Sequence, residues 1–186
     1  IKAPLEEAFR AVVSGEAVSD GFNRLVLCAG LARRDVTILR AVTKYLRQAA
    51  INFSQDYIEH ALGRNPDIAR LLVELFHTAN DPSDNEKRDA RLRLVQTRID
   101  KALNDVPSLD DDRIIRRIRN VIANVLRTNY YQHNEDGTAR PVFAMKLNSQ
   151  KIEELPAPRP HVEIFVYSPQ VEGVHLRFGK VARGGI

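Results

Sequence analysis

The sequence has little sulfur and few aromatics: one cysteine (Cys28), one methionine and no tryptophan in 186 residues. A lone cysteine can make neither an internal disulfide nor a cysteine-rich zinc site, and it fits a reducing, cytoplasmic setting. Phe, Tyr and Trp together reach only 6%, which argues against an aromatic stacking platform for single-stranded nucleic acid. No apolar run approaches the roughly 20 residues needed to cross a bilayer, so no membrane partner is expected. A basic stretch followed by a short apolar one, the mark of a signal peptide, is also missing. Charge of one sign is not dominant: 28 basic residues are interleaved with 24 acidic ones, for a net +4. The pI near 9.4 raises the question of nucleic acid, but no clean basic stripe stands out, and none is expected as a partner.

What is present is an ordinary globular composition, 44% hydrophobic and 28% charged, enough to bury a real core without disulfide staples. The length suits one domain or two small ones. The chain opens at Ile1 and stops at Gly184, Gly185 and Ile186. A Gly-Gly pair is an odd natural terminus, so a piece of a longer polypeptide is expected.

Helical periodicity runs through the first two thirds. Pro4 suits a first turn, with Leu5, Ala8, Phe9, Val12 and Val13 on one face and Gly15 as the stop. Asp20 can cap a segment carrying Phe22, Leu25, Val26 and Ala29 up to Gly30. Asp35 can cap a longer helix through Ile38, Leu39, Val42, Tyr45, Leu46 and Ala49. Ser54 starts a short helix ended by Gly63, and Asn65-Pro66 starts the next, with Ile68, Leu71, Leu72, Leu75 and Phe76 as its apolar stripe. Ser83 and Glu86 have capping-box spacing ahead of Leu92, Val95, Ile99 and Leu103. Ser108 caps a last helix whose apolar face runs from Ile114 through Val125 and Leu126. These two long helices are expected to form an antiparallel hairpin.

The periodicity changes near Tyr130. Asn134 to Gly137 reads as a turn, Val142–Leu147 as a strand, and Pro156, Pro158 and Pro160 as an extended linker. His161–Tyr167 and Val174–Phe178 read as paired strands around a Ser168–Gly173 turn. The expected fold is mainly α: a multi-helix domain over 1–135, then a small β-strand segment over 136–186. All-helical structure is expected to about Tyr130, with strands only after Gly137.

Few residues carry obvious chemistry. His60, His77, His133, His161 and His175 have no metal-ligand spacing, and they read as surface or half-buried histidines. Cys28 sits on an apolar helix face and reads as a buried small hydrophobe. Arg113, Arg116, Arg117 and Arg119 follow three aspartates and read as a solvated face with salt bridges to a neighbouring helix. The C-terminal RFGKVARGGI is different. Arg177, Lys180 and Arg183 surround Gly179, Gly184 and Gly185. Glycine lets backbone N–H groups approach an anion, and arginine offers a planar fork for carboxylate or phosphate. It is neither a Walker P-loop nor a G-x-G-x-x-G fingerprint. A carboxylate or phosphate site and an ordinary glycine turn both remain open on chemistry alone.

RPHVEIFVYSPQVEGVHLRFGKVARGGI resembles the start of the catalytic region of the very large-subunit, NAD-dependent glutamate dehydrogenases of bacteria. SDGFNRLVLCAGL, TKYLRQAAINFSQDYIEHAL and RLLVELF resemble the helical region just upstream, so the resemblance covers nearly the whole chain. It implies that 1–135 are a helical connecting domain and that 136–186 are the first, incomplete strands of an α/β catalytic, substrate-binding domain. It also implies oxidation of L-glutamate to 2-oxoglutarate and ammonia with hydride passing to NAD, and a homo-oligomeric parent. Smaller relatives use a Lys-Gly-Gly motif whose lysine binds the substrate's side-chain carboxylate. The matching positions here are Arg183, Gly184 and Gly185, and arginine keeps the charge while changing the donor geometry. The resemblance puts the catalytic lysines, the acid/base aspartate and the NAD-binding domain beyond Ile186, so no catalytic, cofactor or metal residue is assigned within these residues. Two other readings compete: a stand-alone helical interaction or assembly module without catalytic activity, and a helical nucleic-acid binder using the arginine-rich helix.

Overall fold

A computed structural model describes residues 2–49, 52–83 and 87–179. Seven helices come first: α1 (Lys2–Val13), α2 (Leu25–Cys28), α3 (Arg33–Gln48), α4 (Gln55–Arg64), α5 (Pro66–Asn80), α6 (Arg88–Leu103) and α7 (Leu109–Ala123). Four strands follow: β1 (Val125–Thr128), β2 (Phe143–Leu147), β3 (Val162–Tyr167) and β4 (Glu172–Arg177). The mainly α fold with a small β segment is therefore as expected.

Several boundaries follow from local chemistry. Ser54 Oγ accepts from the Tyr57 N–H at 3.1 Å and Ser108 Oγ from the Asp111 N–H at 3.2 Å, each satisfying a free donor at a helix start. Asp20 accepts from the Phe22 N–H at the head of a 3-10 turn, Gly21–Arg24, that leads into α2. Pro66 occupies the first turn of α5. Gly15 and Gly30 end α1 and α2 with φ of +77° and +64°, a region that costs glycine little.

Other expectations need correcting. Asp35 is not a cap. Ala32 precedes α3, and the Asp35 carboxylate is turned to His77 and Tyr130 instead. Glu86 lies outside the described residues. Ser83 donates its N–H and Oγ–H to Asp81 Oδ1, and α6 begins after Lys87 with no side-chain cap. Gly63 lies inside the last turn of α4, packed against the Arg24 side chain. α1 buries Ala8 and Ala11, while Leu5, Phe9 and Val13 point outward. The expected hairpin of α6 and α7 is not the main contact either. Both helices pack chiefly on other partners, α6 on α5 and α7 on α3, α4 and α5.

The sheet is antiparallel in the order β1-β2-β3-β4. Its inward positions are Phe143, Met145 and Leu147 of β2, facing Tyr167, Phe165 and Glu163 of β3 in register. These close over α3, where Tyr45 meets Phe165 edge to face at a centroid distance of 5.7 Å. They share one apolar cluster with the helices, which includes Leu39 and Val42 of α3, Leu72 and Phe76 of α5 and Ile118 of α7. Glu163 is the one acidic residue on this inward row, and the Tyr45 hydroxyl donates to it.

β1 corrects the expected helix-to-strand boundary. Val125 and Leu126 extend the helical pattern of α7 in sequence, yet the chain turns at Asn124 and pairs with β2 from Val125 onward. Asn124 makes the turn possible. Its Nδ2 donates to the Asn120 carbonyl at 2.8 Å, and its carbonyl accepts from the Asn148 N–H at 3.0 Å. A ladder to β2 replaces the next helical turn, and a register shift between Val125 and Arg127 leaves Leu126 exposed.

Candidate functional site

A cleft of about 740 Å³ opens where the α1–α2 connection, the start of α3, the β1–β2 connection and the β3–β4 turn converge. Gln170 Nε2 in the β3–β4 turn donates to the Gly15 carbonyl at 3.3 Å and ties two of these walls together. Among the described residues four arginines line it, Arg33, Arg34, Arg40 and Arg140, with Glu16 as the one lining carboxylate.

The four cations are held differently. Arg40 is buried at 2% exposure, and its Nε and Nη2 donate to Asp20 Oδ2 and Oδ1 at 2.6 and 2.8 Å. Nη2 also reaches Asn23 Oδ1 at 2.8 Å. A guanidinium on α3 thereby anchors the turn that Asp20 caps. Arg33 pairs loosely with Glu7 of α1 at 3.5 Å. Arg34 lies over the Tyr130 ring at 4.4 Å and donates to the Tyr130 carbonyl. Arg140 is exposed, and its side chain engages no acceptor among the described residues.

A polar network underlies the cleft. Asp35 Oδ1 accepts from the Tyr130 hydroxyl and meets His77 Nε2, each at 2.8 Å. His77 Nδ1 meets the Tyr131 hydroxyl at 2.8 Å. A carboxylate only accepts, so Nε2 carries a proton, and in the neutral imidazole Nδ1 accepts from Tyr131. Burial pushes the Asp35 carboxyl up, but the bonds from His77 and Tyr130 outweigh it and leave the group below its ordinary range. Burial also raises the Tyr130 and Tyr131 hydroxyls, and the Asp35 charge adds to the rise at both. This network fastens α3, α5 and the segment after β1 to one another.

Tyr167 closes the row at the end of β3. Its hydroxyl is buried without a hydrogen-bond partner among the described residues. Burial pushes it up to about 12, against the pull of the Arg40 charge.

Arg183, Gly184 and Gly185 lie outside the described residues, which follow the chain past β4 to Gly179. Cys28 is exposed rather than buried, because α2 turns Leu25 and Val26 inward instead. The arginines of α7 are paired, but only Arg119 reaches a neighbouring helix, and the other three find partners on α7 itself or on the segment ahead of β3. Arg113 meets Asp110, Arg116 meets Asp112, Arg117 meets Glu154 and Arg119 meets Asp100 of α6. His60 Nδ1 lies 2.7 Å from the Asp56 carbonyl, and His77 is half-buried in its network. Among the described residues no group of three or more metal-ligating side chains gathers. The sequence pattern gave no sign of the Asp35–His77–Tyr130 set, whose members are 42 and 95 residues apart in pairing.

Two family descriptions match this chain. "Glutamate dehydrogenase, helical motif 3" covers residues 17–82, and "Bacterial NAD-glutamate dehydrogenase, catalytic domain" covers residues 98–186. The first match takes in α2–α5, and the second the end of α6, α7 and the sheet. The chain belongs to the bacterial NAD-glutamate dehydrogenase family. It is 46% identical over 186 residues to the NAD-specific glutamate dehydrogenase of Halomonas elongata. It is 49% identical over 186 residues to that of Pseudomonas aeruginosa, and 47% over 184 residues to that of Mycobacterium tuberculosis. These alignments cover 97–100% of this chain, which spans only 11–12% of the length of these curated relatives. No helix among the described residues is long and apolar enough to cross a membrane.

Proposed function

We propose that this chain is part of an NAD-dependent glutamate dehydrogenase that oxidises L-glutamate to 2-oxoglutarate and ammonia. The observation that carries the reading is near 50% identity to enzymes of that name along essentially the whole chain. Residues 1–135 act as a helical connecting unit and 136–186 open the substrate domain. No residue here is assigned to NAD, because no dinucleotide-binding glycine fingerprint occurs in the sequence. NAD is held by a domain outside these residues, in a cytoplasmic, homo-oligomeric parent.

Within the reaction, Arg183 pairs with the side-chain carboxylate of glutamate, and Gly184 and Gly185 keep the backbone close to it. The support is chemical: a fork-shaped cation stands beside two glycines where smaller relatives have a substrate-binding lysine. Losing one partner of a desolvated charge pair costs about 2–5 kcal/mol, or roughly 30-fold to several thousandfold. Arg183→Ala in the full-length enzyme therefore lowers kcat/KM for glutamate by that factor while NAD binding stays near normal. Arg183→Lys is milder. Unchanged glutamate kinetics in Arg183→Ala would show that the segment is an ordinary glycine turn.

A further inference from the structure

We propose that the arginine-lined cleft binds a small oxyanion, a carboxylate- or phosphate-bearing metabolite, between Arg34 of α3 and Arg140 of the β1–β2 connection. Two observations converge on it. The first is charge. Arg33 and Arg40 are answered by Glu7 and Asp20. Arg34 gives a hydrogen bond to a neutral carbonyl, and the nearby Asp35 carboxylate is already shared by His77 and Tyr130. Arg140 meets no acceptor among the described residues. Two guanidinium groups thus face the cleft against Glu16, the single rim carboxylate among the described residues. A guanidinium fork with open N–H groups matches the paired oxygens of a carboxylate or phosphate.

The second observation is shape and lining. About 740 Å³ falls within the range of small-molecule sites. Tyr130, Val142 and Phe143 give the cleft an apolar side on which the carbon skeleton of a ligand can lie.

The test is peptide-resolved hydrogen exchange on the full-length protein in sodium succinate, sodium phosphate, or sodium chloride at equal ionic strength. Succinate or phosphate is expected to slow exchange at least roughly threefold beyond chloride in peptides spanning 14–17, 129–143 and 167–171. Whichever probe protects identifies the oxyanion, and Arg140→Gln abolishes the protection. Arg34→Gln weakens binding at least roughly 10-fold, the worth of one hydrogen bond from a charged group. It reads the same site should Arg140→Gln fold poorly. No protection beyond chloride, or equal protection in Arg140→Gln, overturns the assignment. The readout needs no turnover, so this assignment and the role of Arg183 can fail separately.

Discussion

Replacing Asp20 with alanine strands a charge in the interior. The Arg40 guanidinium is 2% exposed and the Asp20 side chain 7% exposed, with two N–H···O contacts of 2.6 and 2.8 Å between them. Removing one partner of a buried pair costs about 3–5 kcal/mol, because the remaining charge keeps its desolvation penalty. Asn23 still accepts one bond from Arg40, which places the expected loss at the lower end, near 3 kcal/mol. Asp20 also caps the 3-10 turn through the Phe22 N–H, and loss of such a cap adds roughly 1 kcal/mol. About 4 kcal/mol lowers the melting temperature of a chain this long by roughly 8–16 °C. The assay is thermal and urea unfolding of the chain, followed by circular dichroism. Asp20→Ala is compared with Arg40→Met and with the double variant. The double variant should be more stable than the sum of the two single losses implies, by about 1–3 kcal/mol, since neither charge is then left alone. A loss below about 1 kcal/mol in Asp20→Ala, or strictly additive losses, would refute the claim that these two residues form a coupled buried pair.

Three further outcomes are expected. Asp111 is held below the ordinary carboxylate range first by the Arg64 guanidinium bond, against burial. Its contribution is therefore fully present above the unfolded value near 3.9 and is lost as pH falls through the lower folded value. Urea unfolding of Asp111→Asn between pH 5 and 2 should show a shallower acid loss than the parent, and parallel curves would contradict the assignment. Tyr45→Phe removes the hydroxyl that donates to buried Glu163, and should cost about 1–3 kcal/mol in chemical denaturation; a neutral result would mean that Glu163 finds solvent or another donor. The 186-residue chain by itself should reduce no NAD with glutamate, because it carries no dinucleotide-binding segment to bring hydride donor and acceptor together. Steady absorbance growth at 340 nm (a property of reduced nicotinamide) in a clean preparation would show otherwise.

Much of the architecture was legible in the residues alone. Helical spacing of Ile38, Leu39, Val42, Tyr45 and Leu46, and of Ile68, Leu72, Leu75 and Phe76, marks buried stripes that the fold does bury. Caps at Ser54 and Ser108 and alternation across 162–167 also carry their own physics, because a free N–H or a pleat acts within a few residues. The resemblance to the glutamate dehydrogenase family lay in the sequence as well, since runs of residues such as SDGFNRLVLCAGL carry it without any fold.

Only the tertiary structure decided where those local preferences yield. Val125 and Leu126 fit a helix, but a ladder to β2 satisfies their backbone groups and ends α7 at Ala123. Asp35 has the chemistry of a cap, yet two hydroxyl and imidazole donors from 42 and 95 residues away claim it. The outward turn of Leu5, Phe9 and Val13 depends on which side of α1 meets α2 and α3, and α1's own apolar residues do not encode that choice. The cleft is the clearest case. Arg34, Arg140 and Tyr167 lie on three different elements, and nothing in their spacing brings them together. Local sequence dictates short-range hydrogen bonds and periodic faces. Charge left unanswered in a shared cleft is a property of how those faces are packed.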